Sequence, residues 1–169
     1  MKPLIKKING ITPKFGKDCY LSENTTIIGD VVCGDRCSFW FNSVIRGDVH
    51  FIKIGNEVNI QDGAIVHCTY KKSPTIIGNQ VTVGHNAIVH GCTIKDRVLI
   101  GMGAIVLDDC IIESDSIVAA GAVLTMGTQV KSGEIFAGVP AKKVKEGNFK
   151  KQLLELANKY VEYSKWYED

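Results

Sequence analysis

The sequence predicts an all-β solenoid of short strands wound into triangular coils, followed by a C-terminal α-helix. The first observation is an apolar residue that recurs every six positions through the second half of the chain. This period fits neither a helix nor simple strand alternation. The second is a small or β-branched residue four positions after most of these, where a corner is expected. The recurring apolar residues are Ile94, Ile100, Val106, Ile112, Val118, Leu124 and Val130.

The first half of the chain keeps the same register with three interruptions. We expect a bulge within "HFIK" (50–53), a loop at "HCTYKKSPT" (67–75), and a corner shortened by one residue between Val89 and Ile94. In such a solenoid each recurring residue fills a narrow core, and the backbone bonds to the coils above and below. An antiparallel sandwich would not hold a strict period over this distance. The recurring residues here are Cys33, Phe39, Ile45, Ile54, Ile60, Val66, Ile77, Val83 and Val89.

The period changes near the C-terminus, which divides the chain into a solenoid at 1–145 and a helical segment at 146–169. Helical spacing indicates an amphipathic helix that lies back along the prism. Its apolar face is predicted to hold Leu153, Leu154, Ala157, Tyr160, Val161, Ser164 and Tyr167.

Three of the four histidines fall within this repeat. His67 follows Val66 and His90 follows Val89, so the register stacks the two rings along one edge, in the column that begins with Arg46. His85 instead points outward from a neighbouring face, in the position that Asp62 holds one coil earlier.

Three imidazoles and an open position are typical of a catalytic zinc site. From the register, His67 and His90 can share a metal ion within one chain, whereas His85 cannot reach it. A trimer around an axis parallel to the prism would bring His85 of one chain to the pair of its neighbour. Each histidine taken alone is more often a solvated or hydrogen-bonded side chain.

The bulk composition limits the classes of function. A formal net charge of +2 is too balanced to suggest a nucleic-acid partner, and no apolar run is long enough to span a membrane. The basic start "MKPLIKKING" has no signal-peptide pattern, and no paired cysteine motif appears. Cys33, Cys37 and Cys110 occupy positions that should face the core, so we expect a reducing cytoplasm.

Three segments closely resemble the γ-class carbonic anhydrase family, whose hexapeptide-repeat relatives are named for ferripyochelin binding and phenylacetate and carnitine metabolism. They are "FWFNSVIRGDVHFIKIGNEVNIQDGAIVH" (39–67), "IGNQVTVGHNAIVHGCTI" (77–94) and "LIGMGAIVLD" (99–108). The resemblance covers nearly the whole chain. It implies a left-handed parallel β-helix and a homotrimer with metal sites at subunit interfaces.

The resemblance also assigns roles to individual residues. It makes His67, His85 and His90 the metal ligands, with Zn²⁺ as the default and Fe²⁺ or Co²⁺ as alternatives. It makes Arg46 and Asp48 an ion pair at the subunit interface. It places four further residues in the catalytic cleft: Gln61, which orients a metal-bound hydroxide, its polar neighbours Asn59 and Asp62, and Tyr160, which leans over the site.

The implied reaction is reversible hydration of carbon dioxide to bicarbonate, because zinc lowers the pKa of bound water to about 7. One feature departs from the most active members. Their loop after the first ligand carries a proton-shuttling glutamate, whereas "CTYKKSPT" (68–75) has two lysines and no carboxylate, and Val49 stands where they have another glutamate.

Because that glutamate is missing, the sequence is also compatible with three functions other than carbon dioxide hydration. The same cleft could hydrolyse acyl-CoA thioesters, with Lys71 and Lys72 suited to an anionic substrate. It could transfer acyl groups, as other hexapeptide-repeat enzymes do with a histidine base. The chain could also be a non-catalytic assembly module, because fold alone does not set function.

Overall fold

The computed structural model describes residues 2–167. Its strands stack in parallel coils as a left-handed β-helix with three faces. In chain order the strands are β1 Leu4–Lys6, β2 Tyr20–Leu21, β3 Thr26–Cys33, β4 Ser38–Phe39, β5 Val44–Ile54, β6 Asn59–Ile60, β7 Ile65–His67, β8 Thr75–Ile77, β9 Thr82–Val83, β10 Ile88–His90, β11 Thr93–Ile94, β12 Leu99–Ile100, β13 Ile105–Val106, β14 Ile111–Ile112, β15 Ile117–Val118, β16 Val123–Leu124, β17 Gln129–Val130, β18 Glu134–Gly138 and β19 Ala141–Glu146.

One face of the prism is an eight-stranded sheet in the order β19-β18-β15-β12-β9-β6-β4-β2. The other two faces belong to one sheet, because the long strand β5 turns a corner. The start of β5 pairs with β7 and its end pairs with β8. Among the named strands of residues 2–167, only β18 and β19 pair antiparallel.

The core is a column of the recurring apolar residues, as the six-residue period predicts. Each pairs with its counterpart one coil away, for example Ile45 with Val66 and Val66 with Val89. None of the sixteen predicted positions is more than 5% exposed, which confirms the predicted register. Full burial of one such side chain contributes about 1.5–3 kcal/mol, so the column supplies much of the stability of the fold.

All three predicted interruptions are present. In β5, the stretch between Gly47 and Ile52 lies opposite the shorter stretch between Gly29 and Val31 of β3. The extra residues of β5 form the expected bulge. The loop after β7 closes with an antiparallel bridge between Thr69 and Ser73. At the shortened corner Gly91 has a φ of +54°, a conformation that residues with a Cβ adopt less readily.

One corner carries a ladder of polar side chains from coil to coil. The backbone N–H of Asp35 donates to Asn56 Oδ1, that of Asn56 donates to Asn79 Oδ1, and that of Asn79 donates to Asp96 Oδ1. These bonds satisfy backbone donors where the strands end. A Cβ at Gly55 would lie only 2.7 Å from Asn79 Oδ1, so glycine is needed beside the ladder.

The C-terminal helix, α1, spans Lys150–Ser164 and packs on β4 and β6. Leu153, Ala157 and Ser164 are buried, as the helical spacing predicts. Tyr167 lies beyond the helix, in a short 3₁₀ turn at Lys165–Tyr167. Residues 168 and 169 of the predicted helical segment lie outside the described residues.

Neither helical segment in residues 2–167 combines the length and the apolar character that a bilayer crossing needs.

Candidate metal centre

Two of the three histidines lie together at one edge of the prism. His67 ends β7 and His90 ends β10, and the two residues pair directly in register. The Nδ1 atom of His67 lies 3.0 Å from the Nε2 atom of His90. Each histidine is the last residue of its strand, and the residue before it, Val66 or Val89, is fully buried in the core. The fold therefore holds two imidazole nitrogens face to face.

Each of these rings also contacts a carboxylate through its other nitrogen. His67 Nε2 lies 3.1 Å from Asp48 Oδ1, and His90 Nδ1 lies 2.5 Å from Asp108 Oδ1. Arg46 Nη1 in turn donates to Asp48 Oδ2 at 2.6 Å. Carboxylates behind histidine ligands fix the tautomer and the orientation of the ring. The pair is therefore oriented before any ion arrives.

The buried setting of His67 favours its neutral form, which is the form that binds a metal. Burial lowers the pKa of His67, and its hydrogen bond with Asp48 opposes this effect only in part. Burial disfavours ionised Asp48, but the hydrogen bonds from Arg46 and His67 outweigh it and lower the pKa of that carboxyl. The site thus pairs a neutral imidazole with an ionised carboxylate near neutral pH.

Asp108 is a further residue of this site, which the sequence pattern did not single out. This residue is nearly buried, receives a hydrogen bond from the Thr69 hydroxyl and contacts His90. Those two bonds outweigh the effect of burial and lower its pKa. Gly91 makes room for it, because a Cβ at that glycine would collide with the carboxylate. The available signal was the register, which places Asp108 two residues after Val106, one coil beyond the His90 corner.

The structure places Arg46 and Asp48 in contact with each other within one chain. Asp48 of this pair also contacts His67, through its Oδ1 atom. Their assignment to a subunit interface remains a prediction, because the structure contains one chain.

His85 lies on a different face, at the corner between β9 and β10. Its Nδ1 atom lies 2.8 Å from Asp62 Oδ2, and both side chains are about 40% exposed. Within residues 2–167, His85 belongs to no group of three close metal-ligating side chains. One chain therefore supplies the histidine pair and, separately, a third histidine that faces solvent.

His85 borders an apolar cavity of about 340 Å³. Gln61 lines the same cavity and is 4% exposed. Its Nε2 donates to Asn59 Oδ1, and Asn59 Nδ2 donates to Thr82 Oγ1, so the amide is held in one orientation. The remaining lining residues are mostly apolar or small: Thr82, Gly84, Leu99, Gly101, Met102, Ile117, Val118, Ala119, Ala120, Leu156 and Tyr160.

Tyr160 comes from α1 and lies in the wall of this cavity. Its ring packs edge-on against Trp40, with the ring centroids 5.7 Å apart. Burial raises the pKa of its hydroxyl, so the phenol stays neutral at ordinary pH. The helix therefore carries Tyr160 to the side of the prism that holds Gln61, Asp62 and His85.

The donor set suits a divalent transition-metal ion. Imidazole nitrogens backed by carboxylates are the usual surroundings of zinc, and the set does not select zinc over ferrous iron or cobalt. The His67–His90 pair offers two facing nitrogens. The residues present therefore fit one divalent ion, with coordination positions left open for further ligands.

Comparisons with known proteins agree with the fold. A model of the bacterial transferase hexapeptide family (six repeats) matches residues 91–125. A solved structure of a putative acetyltransferase from Bacillus cereus is 36% identical and superposes with a TM-score of 0.94, over 99% of this chain and 98% of that one. The nearly complete overlap shows that the C-terminal helix belongs to the shared architecture.

Two comparisons by sequence bear on the family. The chain is 38% identical to a carbonic anhydrase of Geobacillus kaustophilus, over 97% of this chain and 91% of that protein. It is 41% identical to the mitochondrial gamma carbonic anhydrase 2 of Arabidopsis thaliana, over 78% of this chain and 49% of that protein. The chain thus spans about half the length of the Arabidopsis relative. Similarity at this level over almost all of the Geobacillus protein shows that the chain belongs to the γ-class carbonic anhydrase family.

Proposed function

We propose that this protein hydrates carbon dioxide reversibly to bicarbonate at a metal centre shared between subunits of a homotrimer. The observation that supports the proposal most strongly is the 3.0 Å approach of the His67 and His90 nitrogens, with a carboxylate behind each ring. His85 of the neighbouring subunit completes the ligand set. Bound there, the ion acts as a Lewis acid that makes hydroxide available near neutral pH.

The other residues of the cleft bind and orient the reactants. The Gln61 amide, fixed by Asn59, is placed to hydrogen-bond a reacting water or the bicarbonate product. The apolar wall formed by residues such as Leu99 and Ile117 suits uncharged carbon dioxide better than bicarbonate. Tyr160 closes the cavity from the helix side.

Proton removal is the step for which the loop after His67 supplies no carboxylate. Hydration releases one proton per turnover, and the loop after His67 carries Lys71 and Lys72 but no carboxylate. The buried Asp108 is already engaged by Thr69 and His90. We therefore expect buffer to carry the proton away, and the rate to rise with buffer concentration.

Stopped-flow hydration of carbon dioxide by the zinc-loaded and ferrous-loaded protein tests this proposal. His67→Ala serves as the blank and His50→Ala as the matched control, since His50 lies outside the pair and binds the Phe51 amide. We expect activity in the wild type and in His50→Ala, and none above background in His67→Ala. Equal rates in all three proteins would refute a metal-dependent anhydrase.

A second candidate is chemistry on acyl-CoA thioesters, either hydrolysis or acyl transfer. The cavity beside His85, at about 340 Å³, is far larger than carbon dioxide needs, and the Bacillus cereus structure is named a putative acetyltransferase. Release of free CoA from short acyl-CoA compounds, with and without an added amine acceptor, tests this activity. Loss of that release in His85→Ala, together with no carbon dioxide hydration by the wild type, would favour it.

A further inference from the structure

Three thiols converge at the N-terminal end of the prism, away from the histidines. The sulfur atoms of Cys19, Cys33 and Cys37 all lie within 4.8 Å of one another. In residues 2–167 these are the only three side chains of His, Cys, Asp or Glu whose ligating atoms come that close. The arrangement therefore distinguishes this cluster from the other cysteines, which are also free thiols.

The cluster is a consequence of the coil register. Cys19 directly precedes β2 and Cys37 directly precedes β4, and these strands pair in parallel with Tyr20 opposite Ser38. The two cysteines therefore occupy the same column in successive coils. Cys33 ends β3, at the corner just before Cys37, and its side chain enters the same part of the core.

Burial and hydrogen bonding leave the three sulfurs available to an ion. Cys33 and Cys37 are 5% and 1% exposed, whereas Cys19 is only partly buried. Cys19 Sγ lies 3.3 Å from the Gly34 carbonyl and Cys37 Sγ lies 3.1 Å from the Gly55 carbonyl, and both are weak thiol bonds. Cys19 is therefore the least buried of the three, and an ion would displace only weak interactions.

We propose that Cys19, Cys33 and Cys37 form a second metal site, which binds a thiophilic d¹⁰ cation such as Zn²⁺. Thiolate sulfur is the preferred donor for such ions. Sulfurs bound tetrahedrally at about 2.3 Å from zinc lie about 3.8 Å apart, which the present spacing accommodates with small side-chain shifts. A water molecule on the exposed Cys19 side completes four ligands.

The site has a structural role. It links the first coils of the prism, where Phe15 and Leu21 are only partly buried against the core. Each thiol gives up its proton on binding, and the ion offsets the charge of the buried thiolates. An ion that binds only the folded chain stabilises it by mass action.

Anaerobic titration of the reduced protein with Cd²⁺, a spectroscopic substitute for zinc, tests the site. Thiolate-to-cadmium charge transfer in the near ultraviolet reports sulfur ligands and is silent for imidazole. We expect a band that saturates at one ion per chain in the wild type, in His67→Ala and in Cys110→Ala. Cys110 is a matched control because it is a fully buried cysteine outside the cluster.

In Cys19→Ala we expect the band to be lost, or the affinity for Cd²⁺ to fall at least tenfold. Because Cys19 is partly exposed, this variant keeps the core intact, and its circular dichroism serves as the check on folding. Cys33→Ser gives an independent second variant. An unchanged band in Cys19→Ala, or no band in the reduced wild type, would overturn the three-thiolate site. Loss of the band in His67→Ala would show that the sulfur ligands belong to a site that includes His67 rather than to the three-thiol cluster, and would equally overturn the proposal.

Discussion

His67 Nδ1 and His90 Nε2 face each other at 3.0 Å across adjacent coils, while His85 lies on another face against Asp62. In the proposed three-histidine centre, one chain therefore supplies the pair and, separately, His85. His67 and His90 end strands, whereas His85 lies in the turn between β9 and β10 on another face, so a small side-chain movement does not bring them together. Subunit assembly is therefore the step that would create the proposed centre.

Mixed trimers provide a direct test of sharing between subunits. His85→Ala keeps the His67–His90 pair, and His67→Ala keeps His85. In a Cys19→Ala background, which removes the proposed thiol site, we expect each variant alone to lose tight zinc binding while its circular dichroism stays unchanged. Co-expressed, the two variants should regain one complete centre in each mixed trimer, measured as zinc content after purification. Normal zinc content in His85→Ala alone would mean that the third histidine is not a ligand.

Asp108 should control metal affinity through His90. In Asp108→Ala the His90 ring loses the carboxylate that orients it, and we expect zinc affinity to fall by about 10- to 100-fold. Competition with a chelator of known affinity measures this change. Asp109→Asn is the control: Asp109 binds Ser73 instead, and its φ of +61° is one that asparagine tolerates. Equal losses in both variants would show a general loosening of the loop.

The six-residue register predicts a sharp contrast between adjacent residues of β8. Ile77 is 2% exposed and Ile76 is 36% exposed. Ile77→Ala should lower the free energy of unfolding by about 2–5 kcal/mol, because it leaves a cavity in a narrow core. Ile76→Ala should change it by only about 0.5 kcal/mol. Urea unfolding at equal protein concentration measures both, and comparable losses would contradict the register.

Cys19 should be the most reactive thiol of the metal-free protein at low pH. Hydrogen bonds from Cys33 and Cys37 lower the pKa of Cys19 to about 3, while the pKa of Cys33 is raised to about 12. A thiol with so low a pKa is already a thiolate at pH 5, so its alkylation rate should stay nearly flat from there to pH 8. An ordinary thiol, with a pKa of about 8.5, gains about tenfold in rate per pH unit over that range.

Peptide mapping after brief iodoacetamide treatment gives the rate for each cysteine. The unfolded protein is the reference, because all six cysteines should then show the ordinary pH dependence. A steep rise in Cys19 labelling with pH in the folded protein would contradict the lowered pKa.

The core of this protein follows from sequence because its period is strict. Val66, Val89 and Val106 were placed one above another by counting, and the strand pairing agrees. The same counting stacks His67 on His90 and sets His85 beside Asp62. It also puts Cys33 and Cys37 in the core, where both are buried.

Other relationships needed tertiary structure, because the period brings positions to one edge but does not say which side chains touch. Asp108 follows His90 by 18 residues, one full coil, but its contact with that ring also depends on the Thr69 hydroxyl and on the space that Gly91 leaves for the carboxylate. Tyr160 reaches the cavity because the helix folds back over β4 and β6, a packing that no repeat encodes. Cys19 and Cys37 share a column by register, but the approach of the Cys33 sulfur to both is seen only in the tertiary structure.

The sequence by itself thus determined the coil register, the buried column and the pairing of two histidines, because a fixed period turns chain distance into spatial position. Tertiary structure decided which carboxylates contact those histidines, where the helix closes the cavity, and that the Cys33 sulfur meets the other two thiols. These contacts depend on side-chain packing at the corners, the loop and the helix, which periodicity alone does not set.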